Sequence, residues 1–202
     1  MAREVTEQGE KVLSAIESKL GREPSREAME AVHKLLKSRG FPELSEGNTT
    51  RYVFALPDEF VTGGGVVKLP RKEADFFGDS LVHLGVDQNI RSIYTAEYLS
   101  EDGLAPPTIG YSSKGSWVVF PIVHDLSEQY EEEFKQKADR IREREDVNCV
   151  TGGETSGTPD IDIRENWGVY QGEVVLRDVG SVAVREVDAP VLNLVADPHW
   201  EL

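Results

Sequence analysis

Two stretches of the chain carry side chains that could handle phosphate. The first runs Asp160-Ile-Asp-Ile-Arg-Glu-Asn166, continues into Trp167-Gly168, and is followed past a short apolar run by Asp178-Val-Gly180. The second lies earlier, where Lys68 closes Val66-Val-Lys68 and Glu97 stands in the helix-like stretch that follows. Phosphoryl transfer needs a cation on the nucleotide phosphates, oxygen ligands for Mg²⁺, and a carboxylate facing the attacking hydroxyl. Lysine, asparagine and aspartate supply those parts, and here they occur in chain order. Zinc chemistry is less well served. Cys149 is the only cysteine, so neither an internal disulfide nor a cysteine zinc cluster can form within one chain. The histidines His33, His83, His124 and His199 show no His-x-x-x-His spacing. A hard-cation site made of carboxylates stays open. Gly63-Gly-Gly65 is not a Walker loop, because Gly-Lys-Ser/Thr is missing.

The elements that must position these residues can be read from periodicity. Residues 3–20 predict a helix with Val5, Val12, Leu13, Ile16 and Leu20 on one face and Gly21 at its end. A second helix starts at Pro24-Ser25, repeats Ala28, Val32, Leu35 and Leu36, and stops at Gly40 and Pro42. The helical hairpin so formed must bury its stripe on the rest of the chain or on a protein partner. After a polar connector at 43–50, Arg51 to Leu56 and Val66 to Leu69 predict a β-hairpin, and Gln88 to Ser100 a helix. Strands are expected at Thr108 to Tyr111 and Trp117 to Val123, and a charged helix from Ser127 to about Glu145. Gly152 to Pro159 has loop composition; Trp167 to Tyr170 and Glu173 to Leu176 predict a hairpin turning at Gln171-Gly172; Val191 to Val195 is a further short apolar run. The fold class is therefore α+β: an N-terminal helical hairpin over 1–45, and a small antiparallel sheet with helices over 51–202.

Taken in order, these features resemble the protein-kinase-like fold, and more closely the small kinase-like proteins of tailed viruses, in which Asn-Trp-Gly and Asp-x-Gly bracket one hairpin. The resemblance covers roughly residues 51–181. It implies a reduced kinase-like architecture that binds ATP and Mg²⁺, either as a phosphotransferase or as a pseudokinase. Asn166 and Asp178 would then be the Mg²⁺ ligands, with Gly180 allowing the turn that presents Asp178. Asp162, or else Asp160, would be the catalytic carboxylate. Lys68 would meet the nucleotide phosphates and pair with Glu97. Trp117 to Val123, with His124-Asp-Leu-Ser127 after it, would be the strand and hinge that hold the adenine ring. The chain departs from the family pattern in three places: the Asp-to-Asn spacing is four from Asp162 or six from Asp160, no His-Arg or His-Gly precedes either Asp, and the glycines at 63–65 are not separated. Each residue also has a structural use. Lys68 could be a solvated edge-strand lysine, Glu97 a helix-surface charge, Asn166 and Asp178 turn formers, and Trp167 a core residue.

Charge bounds the partners. The net charge is -15, with 37 acidic against 22 basic residues, and arginine outnumbers lysine. Such a surface repels a phosphate backbone, so nucleic acid is not an expected partner. The composition suits a salt-rich cell, a halophilic archaeon or its virus, where carboxylates hold water and hydrated cations. No apolar run approaches the roughly 20 residues of a membrane span, and the charged start of the chain lacks the apolar stretch of a signal peptide. The expected location is cytoplasmic, or the host cytoplasm or virion for a viral protein. A different class of function fits the same composition: a structural or interaction protein, such as a virion or assembly component, docking through its N-terminal helices.

Overall fold

In the computed structural model of the chain, which describes residues 4–21, 25–44, 51–71, 80–149 and 159–184 (backbone only for 80–84), hydroxyl caps start the first two helices. Thr6 Oγ1 accepts from the Gly9 N–H (3.1 Å) to begin α1 (Glu7–Leu20). Ser25 Oγ accepts from the Ala28 N–H (3.2 Å) to begin α2 (Arg26–Ser38). Each cap satisfies an orphan donor of the first turn. The first helix starts later than its apolar periodicity suggests because Val5 is used otherwise, as an antiparallel bridge to Val61.

Four strands follow in an antiparallel sheet of order β1-β2-β4-β3: β1 (Arg51–Leu56), β2 (Gly65–Pro70), β3 (Gly110–Tyr111) and β4 (Val118–Pro121). Side chains alternate between the two faces of such a sheet, and here both faces are covered. Phe54, Leu56, Val67, Leu69 and Val119 pack against Val12, Leu13, Ile16, Leu20, Met29, Val32 and Leu36 of the helical hairpin. The apolar stripe of the two helices is thus spent inside the chain, with Leu35 only half-buried. Fully burying a side chain of this size stabilises by about 1.5–3 kcal/mol, so the hairpin is held by the sheet it covers.

On the opposite face Val66, Val118 and Phe120 meet α3 (Ser80–Ser100), α4 (Glu131–Arg142) and two small sheets. In one of these sheets β5 (Val147–Cys149) pairs with β8 (Val182–Val184); in the other β6 (Trp167–Tyr170) pairs with β7 (Glu173–Leu176). The β6–β7 turn is the expected one. Gln171 (φ 53°) and Gly172 (φ 89°) are both left-handed, as a two-residue hairpin of this hand requires. Helix α3 begins eight residues before the predicted start at Gln88, and α4 is shorter than predicted because a 3-10 turn at Glu128–Tyr130 replaces its first residues. The β5–β8 pair has no counterpart in the sequence reading. Most of the loop expected at 152–159 and the apolar run at 191–195 lie outside the described residues.

Candidate functional site

The chemistry-bearing residues meet where the α3 face of the large sheet touches the base of the β6–β7 hairpin. Strand alternation sets the first two. Arg51 and Lys68 fall on the same face as Val66 and Phe120, because Arg51 pairs with Pro70, and Val53 with Lys68, across β1 and β2. β2 is an inner strand, with Lys68 facing Val53 on one side and Val118 on the other. Lys68 is therefore a buried lysine, its side chain 8% exposed, and not a solvated edge-strand residue. Asn89 of α3 fixes the strand beneath it, donating from Nδ2 to the carbonyls of Lys68 (3.2 Å) and Gly115 (2.9 Å).

The other side of the site is built around Asn166. Its carbonyl accepts from the N–H groups of both Arg177 (2.7 Å) and Asp178 (3.0 Å), closing the hairpin base. Its side-chain Nδ2 donates to the carbonyl of Asp160 (2.8 Å). Asp178 is thereby held over the sheet, where its Oδ1 accepts from Arg51 Nη2 (2.6 Å) and from Lys68 Nζ (3.3 Å). Arg51 also donates through Nη1 to Ser92 Oγ on α3 (2.9 Å), and Lys68 Nζ donates to the Arg177 carbonyl (3.4 Å). Gly180 belongs to the same joint for a reason other than the one predicted. Its φ is not left-handed; instead a Cβ there would stand 3.0 Å from Gln88 Cγ and 3.1 Å from Ser92 Oγ, so the glycine lets the turn lie flat on α3.

These contacts set the protonation states. Burial pulls the Lys68 ammonium down to about 8, with the nearby Arg51 guanidinium adding to the effect and Asp178 opposing it. For Asp178, burial alone would raise the carboxyl; Lys68 and Arg51 outweigh it and hold the group well below the usual carboxylate range. Asp160 is shifted up, by burial and then by the charge of Asp178, which places these two carboxylates within electrostatic reach of each other.

Lys68, Asn166 and Asp178 are thus brought together across up to 110 residues of chain. The remaining predicted residues lie elsewhere. Glu97 is exposed on α3, and the ion-pair partner of Lys68 is Asp178 rather than Glu97. Asp162 pairs with Arg142 of α4, and the carboxylate that feels the charge of Asp178 is that of Asp160. The segment resembling a hinge is laced to the hairpin: His124 N–H donates to Val169 O (2.9 Å) and Val169 N–H donates to His124 O (2.7 Å). Gly168 permits that approach, since a Cβ on it would collide with the His124 carbonyl and stand 2.6 Å from Val123 Cγ1. The glycine-rich β1–β2 connection is tied to the start of α1, with Thr6 N–H bonded to Phe60 O (3.0 Å) and Thr62 N–H to Glu4 O (2.9 Å). A groove of about 580 Å³ also lies on that side, lined by Lys11, Val12, Arg39, Phe41 and Phe60 among others, away from the Asp178 cluster. Two members of the cluster, Arg51 and Ser92, escaped sequence reading. The only available signal was that Arg51 shares the β1 parity of Val53 and Ala55, the face opposite Phe54 and Leu56.

The residues fit Mg²⁺ poorly. One oxygen of Asp178 takes both a short contact with a fully buried arginine and the contact with Lys68, so a divalent ion on the same carboxylate would stand near two cations that oppose it. Among the described residues, no three His, Cys, Asp or Glu side chains gather in a metal-holding group. No protein-family model matches the chain, and no curated protein matches it.

Proposed function

We propose that the chain is a reduced kinase-like protein of the pseudokinase type: it holds a nucleoside triphosphate by its phosphates at Lys68 and does not transfer them. The observation that carries this reading is the ion pair between Lys68 on an inner strand and Asp178 directly after the hairpin, with Asn166 bonded to the backbone of the same turn. Three residues predicted for one site from their order in the sequence share one cluster, with Lys68 buried and Asn166 and Asp178 half-buried. Two features weigh against phosphoryl transfer. Asp162 is turned to Arg142, and the Asp178 carboxylate neutralises cations where a transferase needs it to organise the metal.

Calorimetric titration of ATP in molar potassium chloride tests the reading. Heat from the wild type, its loss in Lys68→Met shown to be folded, and no release of the γ-phosphate would support it. A folded wild type that gives no heat at millimolar ATP would overturn it.

A second reading, a structural or interaction protein such as a virion or assembly component from a salt-adapted system, is favoured by the lacing of His124 to Val169. A purine held at this segment would need the backbone N–H and C=O that Val169 already occupies. With the α2 stripe buried on the sheet, a partner would have to dock on the polar outer side of the helical hairpin.

A further inference from the structure

The cluster at Asp178 contains a residue that a metal-assisted phosphate site does not call for, Arg51, and it changes what the site requires. Arg51 is fully buried and makes the short contacts, 2.6 Å to Asp178 and 2.9 Å to Ser92. Both contacts of Lys68 are long, 3.3 Å to Asp178 and 3.4 Å to Arg177 O. Both cations hold the Asp178 charge, Lys68 at least as strongly as Arg51, but the closest hydrogen bond is the one from Arg51, and Lys68 makes the longer contacts. If Lys68 turns toward a ligand anion, Asp178 keeps its partner.

We infer that Arg51 occupies the electrostatic role of a divalent metal at Asp178, so that the site takes a polyphosphate anion through Lys68 without Mg²⁺. This rests on the nucleotide reading above and specifies it. In a metal-assisted site, the cation bridges the carboxylate to the phosphates and cancels their charge. Here the carboxylate already has its cation, built into β1 and anchored to α3 through Ser92. A metal arriving at Asp178 would have to draw the carboxylate from Arg51, leaving a buried guanidinium without that contact, or share the carboxylate with two positive charges. Either route breaks or opposes a charge interaction that lies largely out of water.

Two measurements on the unaltered protein decide the matter. In molar potassium chloride, ATP is titrated once with excess EDTA and once with magnesium chloride. The inference expects dissociation constants within about threefold of each other, well under the tenfold that 1.4 kcal/mol represents. Separately, Mn²⁺ without nucleotide is titrated and its free signal followed by electron paramagnetic resonance; no loss of free Mn²⁺ at millimolar protein is expected. ATP binding that weakens more than about tenfold in EDTA, or Mn²⁺ bound by the protein alone, would overturn the inference while leaving the nucleotide reading intact. Absence of heat in both buffers, from a protein shown to be folded, overturns the nucleotide reading and the inference with it.

Discussion

Asp178→Asn is the substitution that most directly probes the cluster, since it keeps the shape of the side chain and removes its charge. The wild-type carboxylate lies 2.6 Å from a fully buried guanidinium and 3.3 Å from an ammonium that is 8% exposed. Two unit charges about 4 Å apart at an effective dielectric of about 20 interact by about 4 kcal/mol. Asp178 itself is 29% exposed, so water already shares part of its field. Removing one member of a buried pair typically costs about 3–5 kcal/mol, and the exposed edge of Asp178 puts the expected loss at the lower end, about 3 kcal/mol. Urea unfolding in molar potassium chloride, followed by the fluorescence of buried Trp167, reads it. With a slope of about 2 kcal/mol per molar urea, the midpoint should fall by about 1.5 M at unchanged slope. Arg51→Met should then cost about 2 kcal/mol less in the Asp178→Asn background than in the wild type, because the two residues share one interaction. A midpoint shift below about 0.5 M, or additive costs, would show that the ion pair contributes little and that the turn is held by the Asn166 backbone bonds alone.

Other consequences follow from the same geometry. The Lys68 ammonium is lowered from 10.5 to about 8, so between those values the unfolded chain binds more protons and Lys68 contributes stability that rises with pH; Lys68→Met should abolish that rise, read as the wild-type-minus-variant difference in urea midpoint at pH about 8 and about 10. Gly168→Ala places a methyl against the His124 carbonyl and Val123 and should cost about 2–3 kcal/mol by overpacking, with faster amide exchange at Val169 marking the broken lacing. Thr6→Ala removes the cap on the Gly9 N–H and should lower stability by about 1 kcal/mol in the same urea assay, without changing ATP binding. The net charge of -15 predicts a melting temperature that climbs with potassium chloride as self-repulsion is screened; a flat or falling trend would remove the case for salt adaptation.

Which parts of the molecule were legible in its sequence follows from how local their causes are. The two capped helices, the β1–β2 and β6–β7 hairpins and the Gln171-Gly172 turn are specified by neighbouring residues, and they lie close to where periodicity put them. The β5–β8 pair joins segments more than thirty residues apart, Val147 to Val184 at its outer register. Three-residue strands carry no period to detect, so only tertiary packing reveals them. Lys68, Asn166 and Asp178 were found by order along the chain, which survives folding. The pairing of Lys68 with Glu97 was not, because it required knowing which face of α3 looks at the sheet. That face presents Asn89 and Ser92, both fully buried, while Glu97 points to water. Arg51 escaped for a related reason: an arginine at the start of a strand reads as an exposed end, and only the covering by α3 and the hairpin buries it.

The sorting of charge inside the chain bears on how such a site could work in high salt. Among the described residues, the charged side chains in the buried set are Arg51, Lys68 and Lys137, all cations, in a chain with a large excess of carboxylates. Each meets acids that reach over it from more exposed positions: Asp178 over the first two, and Glu133 (3.3 Å) and Glu173 (3.4 Å) over Lys137. The Debye length is about 3 Å at 1 M salt, so surface charge pairs lose most of their attraction there while buried ones keep it. A phosphate held by surface lysines would be released under those conditions. One held by Lys68, behind the sheet face and beside Arg51, should bind with a shallow dependence on salt. Repeating the ATP titration from about 0.5 to 3 M potassium chloride should therefore change the dissociation constant by less than about threefold; a steep, log-linear loss would place the bound phosphates on the surface and remove Lys68 from the contact.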